Sequence, residues 1–403
     1  MKRLNRTGHR GFHGGNMMEI GEKEIEDLAV GAAILGTGGG GDPYVGKLLA
    51  VTAIRKYGKV KLLDPEEVPD DWFIIPTAGM GAPTVLIERI PRGDETFEAL
   101  RMLESYFGRK ANATMPIEAG GINSTIPFLT AARAGIPVID ADGMGRAFPE
   151  LQMETFAIYG LSGSPIAMKD EKCNSALLLT VDNYYLEWIA RGVTIRMGGT
   201  AYIAEYAMSG RELKRTAIRN SVSLAIKIGR AIREARESGG SPLDALIRVT
   251  EGTNYGKALT LFKGKIVDVE RRTTAGFAIG KAIIEGLDEF SGKTMLVRFQ
   301  NENLMASIDN HIVATVPDLI TILDQDTAHA ITTEHLRYGY RVVVIGIPTP
   351  EIMRTPEALK VWGPGYFKID AEYIPLELRH KEYYRNARLA PEKEARYRPL
   401  LVS

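Results

Sequence analysis

An apolar run, a glycine-bearing loop and then a second apolar or amphipathic run: this unit recurs in the first half of the 403-residue chain. It appears in DWFIIPTAGMGAP, in MPIEAGGINS leading into TIPFLTAARAG, in PVIDADGMGRAFPELQM and in VTIRMGGTAYIAEYA. Strands that alternate with helices predict a three-layer α/β domain around a largely parallel sheet. Such sheets collect ligands beyond the carboxyl ends of their strands. The glycine loops fall at those ends. The polar residues they carry are therefore expected to converge: Thr77, Glu118, Asn123, Ser124, Asp140, Asp142, Arg146 and Arg196.

A different glycine run, GTGGGGDPY, stands at 36–44. Before it, EKEIEDLAVGAAIL (22–35) has helical apolar spacing. After it, Asp42 suits an N-cap and Pro43 a first turn, opening the helix PYVGKLLAVTAIRKYG. The glycines thus join two helices. A Walker loop and a dinucleotide fingerprint both follow a strand, so both are excluded. What remains is exposed backbone N–H beside a helix start, suited to an anion or oxyanion. Gly38, Gly39, Gly40 and Gly41 are accordingly read as substrate contacts, against the alternative of a plain tight turn.

The second half differs in texture. RELKRTAIRNSVSLAIKIGRAIREARE (211–237) predicts one long amphipathic helix, and SPLDALIRVT a shorter one. Short alternating runs punctuated by Lys-Gly-Lys, Ser-Gly-Lys and Asp-Asn-His then predict an antiparallel β region, barrel or sandwich, over about 255–345. YRVVVIGIPTPEIM reads as one more buried strand, returning to the α/β sheet. The division expected is an α/β domain over 18–165 and a C-terminal domain over 166–382, with helices across 199–250. Tails are expected at 1–17 and 383–403, the first being either disordered or upstream of the true start.

Charge excludes several partners. Lys+Arg and Asp+Glu are each 50, so there is no basic excess for nucleic acid or an anionic membrane surface. No apolar run approaches the roughly 20 residues of a spanning helix. The single cysteine, Cys173, rules out an internal disulfide framework and fits a reducing cytoplasm. Glutamine is confined to Gln152, Gln300 and Gln325 beside abundant Glu, Lys and Arg, a thermophile-like composition.

Several segments together resemble the S-methyl thiohydantoin desulfurase family: LGTGGGGDPY, EAGGINS, DADGMGRAFPELQM, RMGGTA, GKIVDVERRTTAGF, QNENL, VPDLITILD and TEHLRYGYRVVVIGIP. They are spread over most of residues 18 to about 375. The resemblance implies an N-terminal α/β domain, a β-rich C-terminal domain, and removal of sulfur from a thiohydantoin ring to leave a hydantoin. It also implies hydantoinase- or oxoprolinase-type partner subunits and cyclic-amide catabolism. A homo-oligomer is expected. The alternatives are a non-catalytic accessory subunit of such a complex and a small-molecule binding protein.

Hydrolytic desulfurisation needs an activated water, a donor for developing negative charge, and an acid for the departing sulfur. Glu118, Asp140 and Asp142 are the candidate catalytic carboxylates, because clustered carboxylates separate their proton affinities into an acid and a base. The competing readings are that Asp140 caps a turn and that Asp142 pairs with Arg146. Substrate contacts are expected from Gly38 to Gly41, Asn123, Ser124, Arg146, Arg196 and Asn301. Asn301, Glu302 and Asn303 in QNENL either line the cleft or form an exposed edge; the cleft is preferred. A divalent metal such as zinc is the rival way to activate water. His311, His329 and His335 with Asp324 and Asp326 are its candidate ligands, although LDQD also reads as a turn. Cys173 beside Lys172 is read as a packed residue before a nucleophile.

Overall fold

The structure, a computed structural model, describes residues 18–41, 43–81, 85, 89, 91–274 and 277–383. Helix Glu22–Leu35 starts with Glu22 and Glu24 in its first turn, where acidic groups complement the helix dipole; Glu24 also accepts the Gly21 amide at 2.9 Å. It stops at Gly36, and the next helix is Pro43–Tyr57. The glycine run therefore joins two helices. Asp42, read as the cap, lies outside the described residues, as do 1–17 and 384–403.

Helix Ser221–Glu237 crosses the first helix closely. A Cβ on Gly31 would lie 1.8 Å from the Ala225 carbonyl oxygen, and one on Gly229 1.9 Å from that of Asp27. The single helix expected over 211–237 is in fact two, Gly210–Thr216 and Ser221–Glu237. Between them Ile218–Arg219 pairs with Ala141–Asp142, and Asn220 turns the chain with a left-handed φ of 62°. Asp140 fixes the restart by accepting the Ser223 amide at 2.8 Å. Pairing with a distant strand overrode a continuous helical pattern.

The sheets correct the expected topology in part. Among the described residues, parallel pairing is limited to Val60–Leu63 beside Val138–Ile139 and to the bridges Ile74–Ala113 and Thr114–Val138. A four-stranded sheet in the order Thr77–Gly81, Thr200–Ala204, Ile166–Lys169, Ser175–Leu178 is antiparallel throughout. TAGMG, read as a loop, is its first strand. VTIR is no strand: it ends helix Asn183–Arg196, which Asp182 starts by accepting the Tyr185 amide at 2.8 Å. Leu186, Ala190 and Thr194 then form one buried stripe at helical spacing, stronger than the local alternation.

Seven antiparallel strands form the C-terminal sheet, in the order His311–Thr315, Glu302–Ile308, Thr294–Gln300, Phe277–Gly286, Leu259–Thr274, Arg341–Ile347, Leu319–Asp324. It curls into a half-barrel, so that Asn303 Nδ2 donates across it to the Ile320 carbonyl at 2.9 Å. RVVVIGI belongs to this sheet and not to the α/β one. Phe262, Val297 and Phe299 pack in one apolar core. A larger core takes Leu28, Ile34 and Phe128 from the N-terminal half together with Leu319 and Ile345 from the curled sheet. Among the described residues no helix is long and apolar enough to cross a membrane.

Candidate functional site

The loops 36–41 and 118–124 meet the turn at Asn301 and Glu302 between the two halves. The glycines are required by conformation and space together. Thr37, Gly38, Gly40 and Gly41 have φ of 52°, 90°, 78° and 81°, a region most side chains avoid. A Cβ on Gly121 would lie 1.8 Å from the Gly41 carbonyl oxygen, so the two loops touch backbone to backbone. Gly40 O accepts the Ile122 amide at 2.8 Å. From the other side Asn303 N donates to Thr37 O at 2.8 Å, and Thr333 N to Gly38 O at 2.9 Å. The result is a small, partly open cleft with about 60 Å³ of free space.

Two buried carboxyl groups line this cleft, Glu118 and Glu302. Glu118 Oε1 accepts Asn123 Nδ2 at 2.6 Å, and its Oε2 accepts the Phe148 amide at 3.2 Å. Asn123 is itself fixed, because its Oδ1 accepts the Gly79 amide at 2.8 Å. Burial pushes Glu118 up to about 7; the Asn123 and Phe148 donors pull the other way, and Asp142 adds to the rise. Glu302 is 3% exposed and its Oε2 has no hydrogen-bond partner. Burial, reinforced by Glu118, raises its proton affinity well above the usual carboxylate range, while Arg146 opposes the rise. Gly39 leaves room for it: a Cβ there would lie 2.1 Å from Glu302 Oε1.

The remaining expected residues divide between cleft and scaffold. Gly40, Gly41, Asn123 and Asn301 line the cleft with Glu118. Asn301 sits at φ 59° and its Oδ1 accepts the Ala278 amide at 2.8 Å. Asp142 lies behind the cleft, fully buried, with Oδ2 accepting the Met144 and Gly145 amides at 2.9 and 2.5 Å. Burial raises it to about 6. Asp140 is turned to the start of helix Ser221–Glu237. Ser124 accepts the Gly120 amide, and Thr77 meets Thr114. Arg146 is buried and does not pair with Asp142; it donates to Thr37 Oγ1, Asn303 O and Asp318 O at 2.7, 2.7 and 2.9 Å. It is a tie between the two halves. Arg196 is exposed at a helix end. The arginine at the cleft is instead Arg191, five residues earlier, held by Glu187 at 2.7 Å and donating to Pro149 O at 2.8 Å. Only the helical register of that segment reveals it.

Glu154 and Glu205, absent from the sequence-based set, are both fully buried without a partner for either carboxyl oxygen. Burial raises both well above the usual range, and Glu205 raises Glu154 further. No three His, Cys, Asp or Glu side chains among the described residues converge to hold a metal. His311 meets the Asp309 carbonyl, His329 meets Arg236 and His335 meets Thr332. Asp324 closes its turn on Thr327, as LDQD predicts. Cys173, expected as a packed residue, is instead exposed at a turn, with its sulfur 2.6 Å from Arg92 Nη1.

Residues 23–180 match the family described as S-Me-THD-like, N-terminal domain, and residues 181–376 match S-Me-THD-like, C-terminal domain. No curated protein matches this chain. A solved crystal structure of a protein from Chromobacterium violaceum shares the fold, with a TM-score of 0.76 at 24% identity, covering 89% of this chain and 100% of that one.

Proposed function

The chain belongs to the S-Me-THD-like family, the S-methyl thiohydantoin desulfurases, and from this we propose that it hydrolyses the carbon–sulfur bond of an S-substituted thiohydantoin ring. One observation carries the reading. Glu118 and Glu302 are buried in the same small cleft, and Glu118 accepts two hydrogen bonds that favour its ionised form while Glu302 Oε2 accepts none, which favours its protonated form. Two carboxyls in one cleft, one stabilised as the carboxylate and the other as the acid, supply a base and an acid at one pH.

Glu118, ionised, takes a proton from water, whose oxygen attacks the sulfur-bearing ring carbon. Glu302, protonated, donates to the departing sulfur as the carbon–sulfur bond breaks. The water oxygen stays on the ring as the new carbonyl. Glu118 passes the proton it took from water to the ring nitrogen, and the second water proton, released as the carbonyl forms, returns to Glu302, so both carboxyls return to their starting state. Asn123 holds Glu118 in place, and the Gly40–Gly41 backbone and Arg191 face the developing negative charge. The test is turnover of an S-methyl thiohydantoin by the purified chain alone, read as released thiol. Thiol released only after a hydantoinase- or oxoprolinase-type subunit is added would overturn the reading in favour of an accessory role.

A further inference from the structure

The side of the molecule carrying Ser175–Leu178 and helix Asn183–Arg196 is unlike the rest of the described surface. Leu179, Val181, Tyr184, Tyr185, Trp188 and Ile195 are all exposed there, with Val181 at 86% and Trp188 at 73%. Among the described residues, half of the exposed large apolar side chains fall within residues 177–195. Isolated exposed apolar residues are ordinary, but a contiguous aromatic face marks an interaction surface. Tyr and Trp are also the residues that carry the most energy when an interface closes over them.

Charge on this face indicates the occupant. Asp182 stands exposed at the start of the helix and Arg196 stands exposed at its end. Glu187 and Arg191 pair with each other on the inner side. The outer face is thus apolar in the middle, negative at one end and positive at the other. A two-fold axis through Trp188 lays the helix antiparallel on its own copy. That brings Asp182 of each copy to the Arg196 end of the other and opposes the two helix dipoles. The neighbouring strand Ser175–Leu178 is the outermost of its sheet, and an antiparallel edge is also compatible with a two-fold axis.

We propose that this face is the interface of a homodimer, closed by helix Asn183–Arg196 packing on the same helix of a second copy. The interface does not depend on the chemistry assigned to the cleft. Sedimentation equilibrium of the full chain over a concentration series tests it. The expected result is a mass twice the 44.3 kDa of one chain. Trp188→Glu should weaken the dimer by roughly 30-fold or more in Kd, as expected for an interface hot spot. Arg196→Asp and Arg196→Glu should each weaken it, and Arg196→Lys, which keeps the charge, should leave it intact. Trp188 is exposed, so its variant should keep the wild-type circular dichroism spectrum. If it did not, Val181→Lys carries the same test. A wild type that stays monomeric, or a dimer indifferent to both Trp188→Glu and the charge reversals, overturns the proposal and leaves the face to a different partner.

Discussion

Proton affinity at Glu118 governs the behaviour expected at the scale of the residue. Its folded value of about 7 lies above the ordinary 4.5, chiefly through burial. If Glu118 is the base, kcat/KM should rise with pH through about 7. Stability should move the other way. The folded protein retains a proton that the unfolded chain releases above about 4.5, so this group's contribution to stability falls as pH climbs from there to about 7 and is level beyond. Glu118→Gln should remove both effects, lowering turnover on the order of 10²-fold or more while substrate still binds. Near-normal turnover by the Glu118→Gln variant would place the base elsewhere. Asp140 offers the contrast. Its carboxylate holds the Ser223 amide at a helix start, so Asp140→Ala should cost about 1 kcal/mol in a denaturant titration with little change in kcat.

Within the glycine loops, position rather than residue type separates two kinds of failure. A methyl group at Gly121 would strike the Gly41 carbonyl, which belongs to the backbone and cannot yield without moving the loop. Gly121→Ala should therefore lower the melting temperature and the activity together. A methyl group at Gly39 would strike the side chain of Glu302 instead. Side chains yield more easily, so Gly39→Ala should displace the proposed acid and cut turnover with a much smaller loss of Tm. Equal losses in both variants, measured by thermal melts beside steady-state rates, would remove Glu302 from the chemistry and leave both glycines as structural necessities.

Over the whole molecule, the two family-defined segments share their larger core and are tied by Arg146, so they should unfold together. Calorimetry should give one transition whose calorimetric and van't Hoff enthalpies agree, once dilution or Trp188→Glu has removed association. Two resolved transitions would contradict this. Arg146→Met would leave the Thr37 hydroxyl and the carbonyls of Asn303 and Asp318 buried without their donor. Each such group costs about 1–3 kcal/mol, and the single transition should shift down accordingly.

Much of this molecule was legible in one dimension. The helices at 22–35 and 43–57, the β-rich C-terminal half, the family, and the cleft residues Glu118, Asn123, Gly40, Gly41 and Asn301 all follow from local periodicity, turn chemistry or long motifs. These signals are carried by neighbours in the chain, where spacing alone reports which face a residue takes. The identity of strand partners is not such a signal. Nothing local states that TAGMG pairs with Thr200–Ala204, that Ile218–Arg219 breaks a helix to reach Ala141–Asp142, or that RVVVIGI joins the curled sheet. Proton affinity is not local either. Asp140, Asp142 and Glu118 look alike in sequence; burial and hydrogen-bond partners drawn from other segments separate a helix cap, a loop brace and a cleft carboxyl. QNENL was expected at the cleft, but the coupling of Glu302 to Glu118 was not readable there, because desolvation and charge coupling depend on distance in space and not along the chain.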